Sequence, residues 1–135
     1  MKKFILILLT LFLVVGCGNS NYNGLNYKEL KAKLDNKETF ILLLNDNSNE
    51  SKVLKNSLNT VLENNNLKAY ELNPTKLSND EKNNLRTFFV YQNAGIIFIK
   101  DGIETSKLTQ ITDPLTKDKD IEKHLSNLGY IKTSN

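Results

Sequence analysis

At 135 residues, 39% hydrophobic and 24% charged, the chain has the size and balance of one globular domain and leaves little room for a second. Its net charge of +3 includes Lys2 and Lys3; without them 16 basic residues face 15 acidic ones, which argues against the basic stripe of a nucleic-acid binder. One Cys and one His exclude an internal disulfide and would leave a zinc site to be built largely from carboxylates, so no metal and no other cofactor is expected.

The chain begins with Met1-Lys2-Lys3 and then runs apolar from Phe4 to Val15, broken only by Thr10. A basic start and an apolar stretch of this kind read as an export signal. As a helix the stretch would cover about 18 Å at 1.5 Å per residue, short of a hydrocarbon core of roughly 30 Å, so a permanent span is disfavoured and cleavage is expected. Val14-Val15-Gly16-Cys17, placed where the apolar run ends, resembles the lipobox of bacterial lipoproteins. That resemblance implies a signal peptide over 1–16, a diacylglycerol on the Cys17 sulfur, and a protein held at the extracytoplasmic face of a Gram-positive cell membrane. One acyl chain holds a protein marginally and a second makes residence stable. Cys17 is then an anchor, and the mature protein carries no free thiol. Gly18 to Asn26 is small and polar, so residues 17–26 are expected to form a flexible tether that holds a domain over 27–135 off the bilayer.

In the domain, Tyr27, Leu30 and Leu34 recur at helical spacing and predict a short helix ending before Asn36. Phe40 to Leu44 is an unbroken apolar run and predicts a central strand buried on both faces. Val53, Leu54, Leu58, Val61 and Leu62 predict one face of a longer helix from about Asn49 to Asn65. Leu67 to Leu72 predicts a second strand, ended by Asn73-Pro74. Ser78-Asn79-Asp80-Glu81 is a capping box, from which a third helix is expected to carry Leu85, Phe88 and Phe89 inward. Ala94 to Ile99 predicts another buried strand, and Asp101-Gly102 turns it into an alternating edge strand over Ile103 to Leu108. Ile121, Leu125 and Leu128 predict a closing helix that Gly129 can terminate. The fold class that follows is α/β, one mixed sheet of four or five strands with helices on both faces.

This order, with a central strand running into a polar loop and a long helix and a later strand ending in Lys-Asp-Gly, resembles the thioredoxin superfamily over most of Tyr27 to Leu128. In its redox members the loop after the central strand carries Cys-x-x-Cys; the matching stretch here is Ser48-Asn49-Glu50-Ser51. The cis-proline position of that family falls on Ala94, where a cis peptide would cost about 2.5–4 kcal/mol and a trans bond is expected. The buried acid that assists proton transfer in many relatives falls near Leu42. Exchange needs a thiolate whose pKa is brought toward ambient pH, and an unassisted hydroxyl is a far weaker acid and nucleophile. Thiol-disulfide exchange is therefore not expected, although the fold points toward it.

The remaining candidates are structural. Ser48 is expected to cap the long helix, with Ser51 solvated and Glu50 complementing the helix dipole. Neither serine has a glycine-flanked elbow, and the one His, His124, is distant in sequence, so no catalytic residue is assigned. His124 sits near a helix C-terminus, where packing or a dipole role is expected. Asp118 to Glu122 lacks the spacing of a calcium loop. By analogy with the family, Asn45, Asp46 and Asn47 are expected to converge with Tyr91, Gln92 and Asn93 on one edge of the sheet, where an extended peptide or an envelope protein could bind. The expected function is that of a membrane-anchored, non-catalytic accessory module, for example in secretion or export. A small immunity, exclusion or envelope-stress lipoprotein is the alternative.

Overall fold

The computed structural model describes residues 21–89, 93–111 and 113–131. Cys17, the apolar run before it, Tyr91 and Gln92 lie outside the described residues.

Five strands form one sheet: β1 (Tyr22–Gly24), β2 (Phe40–Leu44), β3 (Ala69–Leu72), β4 (Gly95–Lys100) and β5 (Ile103–Leu108). Their order is β1-β3-β2-β4-β5, with β1, β3 and β2 parallel and β4 and β5 antiparallel to their neighbours. Among the described residues four α-helices accompany them: α1 (Tyr27–Asp35), α2 (Asn49–Asn64), α3 (Asn79–Leu85) and α4 (Lys117–Asn127). This is the predicted mixed sheet, and its fold class is thioredoxin-like α/β.

The alternation of β2 explains the two layers. Ile41 and Leu43 face one side with Ile96 and Phe98 of β4, and α2 and α4 close that side with Leu54, Leu58, Leu62, Ile121 and Leu125. Phe40, Leu42 and Leu44 face the other side with Ile97 and Ile99, beneath Leu30 and Leu34 of α1 and Leu85 of α3. Because both faces are covered, the strand must be apolar at every position, as its five buried residues are. The capping box at Ser78 is present, with the Ser78 hydroxyl accepting from the Glu81 amide at 3.2 Å and the Glu81 carboxylate accepting from the Ser78 amide at 3.0 Å. α3 stops at Leu85, so Phe88 and Phe89 lie beyond it; Phe89 is buried and Phe88 half-buried.

Both predicted glycine turns are built. At the β4–β5 hairpin Asp101 and Gly102 take φ 54° and 80°, and a Cβ on Gly102 would lie 2.4 Å from the Leu34 carbonyl oxygen. Gly129 has φ 82°; its amide donates to Ser126 O and that of Tyr130 to Leu125 O, which ends α4 in a Schellman motif.

Two expectations are corrected. Residues 21–24 are not a loose tether: Tyr22, Asn23 and Gly24 pair with Ala69, Tyr70 and Glu71 as the edge strand β1. The Tyr22 ring is buried against Leu58 and Leu62 of α2, and its hydroxyl donates to the Lys55 carbonyl at 2.7 Å. Burial, then the nearby Glu71 charge, pushes that phenol well above its ordinary pKa. One aromatic anchor thus makes a polar stretch part of the domain. The second correction concerns the phase of α2. Val53 is 51% exposed, and the buried stripe begins instead at Ser51 and includes Ser57.

Candidate functional site

β2 ends at Leu44, and the chain then makes the loop Asn45-Asp46-Asn47-Ser48 that starts α2. The loop is held by its own side chains. Asn45 Oδ1 accepts from the Asn47 amide at 2.9 Å, and Asp46 Oδ1 accepts from the Ser48 amide at 3.0 Å. Asn47 takes φ 66°, a conformation asparagine tolerates better than most residues.

Ser48 caps α2 as predicted, its hydroxyl accepting from the Ser51 amide at 3.2 Å. Ser51 is not solvated, however; it is fully buried. Its hydroxyl donates to Asp46 Oδ1 at 2.7 Å, and accepts from the Asp46 amide at 3.2 Å and from the Ser48 hydroxyl at 3.3 Å. A buried hydroxyl is tolerated when it is paired, and here every lone pair and proton is in use. The two positions that match Cys-x-x-Cys are thus joined with Asp46 into one closed hydrogen-bonded unit.

Hydrogen bonds from Ser48 and then Ser51 hold the Asp46 carboxyl below its ordinary pKa of 3.8. A depressed folded-state pKa contributes stability above the unfolded value that is lost as pH falls through the carboxylate range. Asp46→Ala removes the acceptor, leaves the buried Ser51 hydroxyl short of one partner, and should cost about 1–2 kcal/mol at pH 7. In urea unfolding the gap between wild type and variant should narrow from pH 7 to below pH 4. A gap that is constant with pH would contradict this role.

The other predicted residues separate. Leu42 is fully buried between β3 and β4, on the α1 and α3 side. Ala94 is half-buried directly before β4, and no cis peptide bond occurs among the described residues. The register of Leu44 against Gly95 sets Ala94 and Asn93 beside the chain leaving β2, and Asn93 is exposed there. Glu50 is exposed in the first turn of α2.

On the opposite side of β2, at the ends of β1 and β3, a groove of about 650 Å³ opens. Asn45 and Asn47 line it together with Asn26, Asn73, Glu71 and Lys76, while Leu25, Leu72 and Leu77 supply apolar surface. Of its charged residues, which include Glu29, Lys76 and Glu81, Glu71 is held in place: it accepts from Asn45 Nδ2 at 2.8 Å and pairs with Lys55 at 2.9 Å. Sequence reasoning missed this groove because one wall is the end of β1. Tyr22, an aromatic in an otherwise polar run, was the signal that could have revealed it. Asp46 turns from the groove into the serine pair.

His124 is remote from Ser48 and Ser51. Its ring lies flat on Phe98, with centroids 4.7 Å apart, and Nδ1 is 2.8 Å from the Ser106 hydroxyl. Burial, then Lys123, lowers its pKa, and the ring packs α4 onto the sheet through Phe98. Among the described residues no group of three or more His, Cys, Asp or Glu could hold a metal, and no helix is long and apolar enough to cross a membrane.

No protein-family model matches the chain, and no curated protein matches it. The class of protein is defined by its architecture: a thioredoxin-like α/β domain in which Ser48, Ser51 and Asp46 form one hydrogen-bonded unit at the start of α2.

Proposed function

We propose that this chain is a lipid-anchored, non-catalytic thioredoxin-like lipoprotein that works by binding a peptide or protein partner at the bacterial cell envelope, as an accessory module of the kind used in secretion or export. The observation that carries this reading is Ser51. It stands where a second redox sulfur would be, is fully buried, and spends its proton on Asp46. A nucleophile must reach its substrate, and a hydroxyl closed into the packing has neither access nor a base that is free to take its proton. The groove beside it supports a binding role, because amide side chains and strand ends can recognise an extended backbone without depending on its sequence.

Two measurements test the reading together. The full chain should show no turnover in a protein-disulfide reduction assay. A photo-crosslinking side chain placed at Asn47 in intact cells should yield a discrete adduct that is absent when the same probe is at Asn64. Turnover would overturn the non-catalytic half, and absence of any adduct at Asn47 the binding half.

A further inference from the structure

The fold determines the end of the domain at which the chain enters β1. If Cys17 carries lipid, as proposed above, four residues lie between the anchor and Tyr22, and the five Cα steps of an extended chain reach at most about 18 Å. Tyr22 begins β1 at the end of the sheet where β2 and β3 also begin. The β4–β5 hairpin is at that same end: the Asp101 amide donates to Thr39 Oγ1 at 3.1 Å, and the Gly102 amide to the Glu38 carbonyl at 3.0 Å. The end of α4 is there too, through the Tyr130 hydroxyl on the Thr39 carbonyl at 2.6 Å. The groove, Asn47 and the Ser48–Ser51 unit lie at the opposite end, where β2 and β3 finish.

The end that holds Tyr22 exposes Lys37, Lys68 and Lys100 alongside Asp35, Glu38, Glu63 and Asp101, with Lys31 bonded to Asp35 and Lys33 to Glu38, so neither sign is in strong excess there. Crossover helices start where parallel strands stop, so the acids of their first turns, Glu29, Glu50, Asp80 and Glu81, collect at the other end near Asp46 and Glu71, together with exposed Lys28, Lys52 and Lys76. An anionic bilayer attracts lysines close to its surface and repels carboxylates, within about one Debye length of roughly 8 Å.

We infer that the domain sits directly against the anionic phospholipid surface on the end bearing Lys37, Lys68 and Lys100, and presents the groove away from the membrane. The partner then approaches from the aqueous side. This rests on the lipid-anchor reading, and the experiment separates the two.

α2 supplies a ruler, since its 16 residues run about 22 Å from one end of the domain to the other. Asn49 and Asn64, at its two ends, are both exposed. Full-length Asn49→Cys and Asn64→Cys chains, lipidated in cells, would be labelled with one fluorophore each and placed in phosphatidylcholine vesicles containing phosphatidylglycerol and a headgroup quencher. The dye at position 64 should be quenched several-fold more than the dye at 49. Changing Lys37, Lys68 and Lys100 together to Glu should shrink that ratio while leaving the chain on the vesicles. Equal quenching, or stronger quenching at 49, with both chains still bound overturns the orientation alone. Failure of both chains to associate with vesicles overturns the anchor reading and the orientation with it.

Discussion

Cys17→Ser is expected to abolish incorporation of a labelled fatty acid and to move any processed domain from the membrane fraction to the soluble one. The effect should be close to complete because the anchor is chemical. In the anchored reading proposed above a diacylglycerol on the sulfur holds the chain, and each buried methylene of its chains would contribute about 0.8 kcal/mol to membrane residence. Nothing among the described residues replaces that contribution, since no helix there can span the bilayer and the lysines at the β1 end offer only surface attraction. Metabolic labelling followed by fractionation reads the result directly. Undiminished labelling and full membrane retention in the variant would remove the anchor, and with it the account of why the chain keeps its single cysteine.

Phe98→Ala should be the most destabilising single substitution in the α2–α4 layer. The ring is fully buried at the middle of the sheet, with β4 hydrogen-bonded to β2 on one side and to β5 on the other. It also carries the His124 ring at 4.7 Å, so truncation opens a cavity and removes the platform on which α4 rests. A loss of about 3–5 kcal/mol is expected. Against a total of about 5–15 kcal/mol for a domain of this size, the thermal midpoint should fall by more than about 10 °C. Val53→Ala is the matched control: Val53 is half exposed on α2, and its truncation should change stability by no more than about 0.5 kcal/mol. Similar midpoints for the two variants would contradict the assignment of the core.

The architecture was readable because it is written in local signals. β2 and β4 are unbroken apolar runs, Asp101-Gly102 and Gly129 sit where a positive φ is required, and the Ser78 box places the start of α3. Each of these depends on residues within a few positions of one another, and together they settle the order of elements. The absence of sulfur at Ser48 and Ser51 was likewise a matter of residue identity. What they do instead was not legible. Val53 is more apolar than Ser51, so hydropathy puts the wrong residue inside; the buried stripe of α2 is decided by how closely the helix lies on the sheet and by Asp46, five residues back, satisfying the hydroxyl. β1 shows the same limit. Its three residues have no strand signal of their own, and they become a strand because β3, some 47 residues later, offers an open edge and α2 offers a place for the Tyr22 ring. The sequence by itself determined most of the elements, their order and the presence of serine at positions 48 and 51. Only the tertiary structure decided where the domain begins, which serine is buried and where the groove opens, because those depend on surfaces that exist only once distant segments have packed.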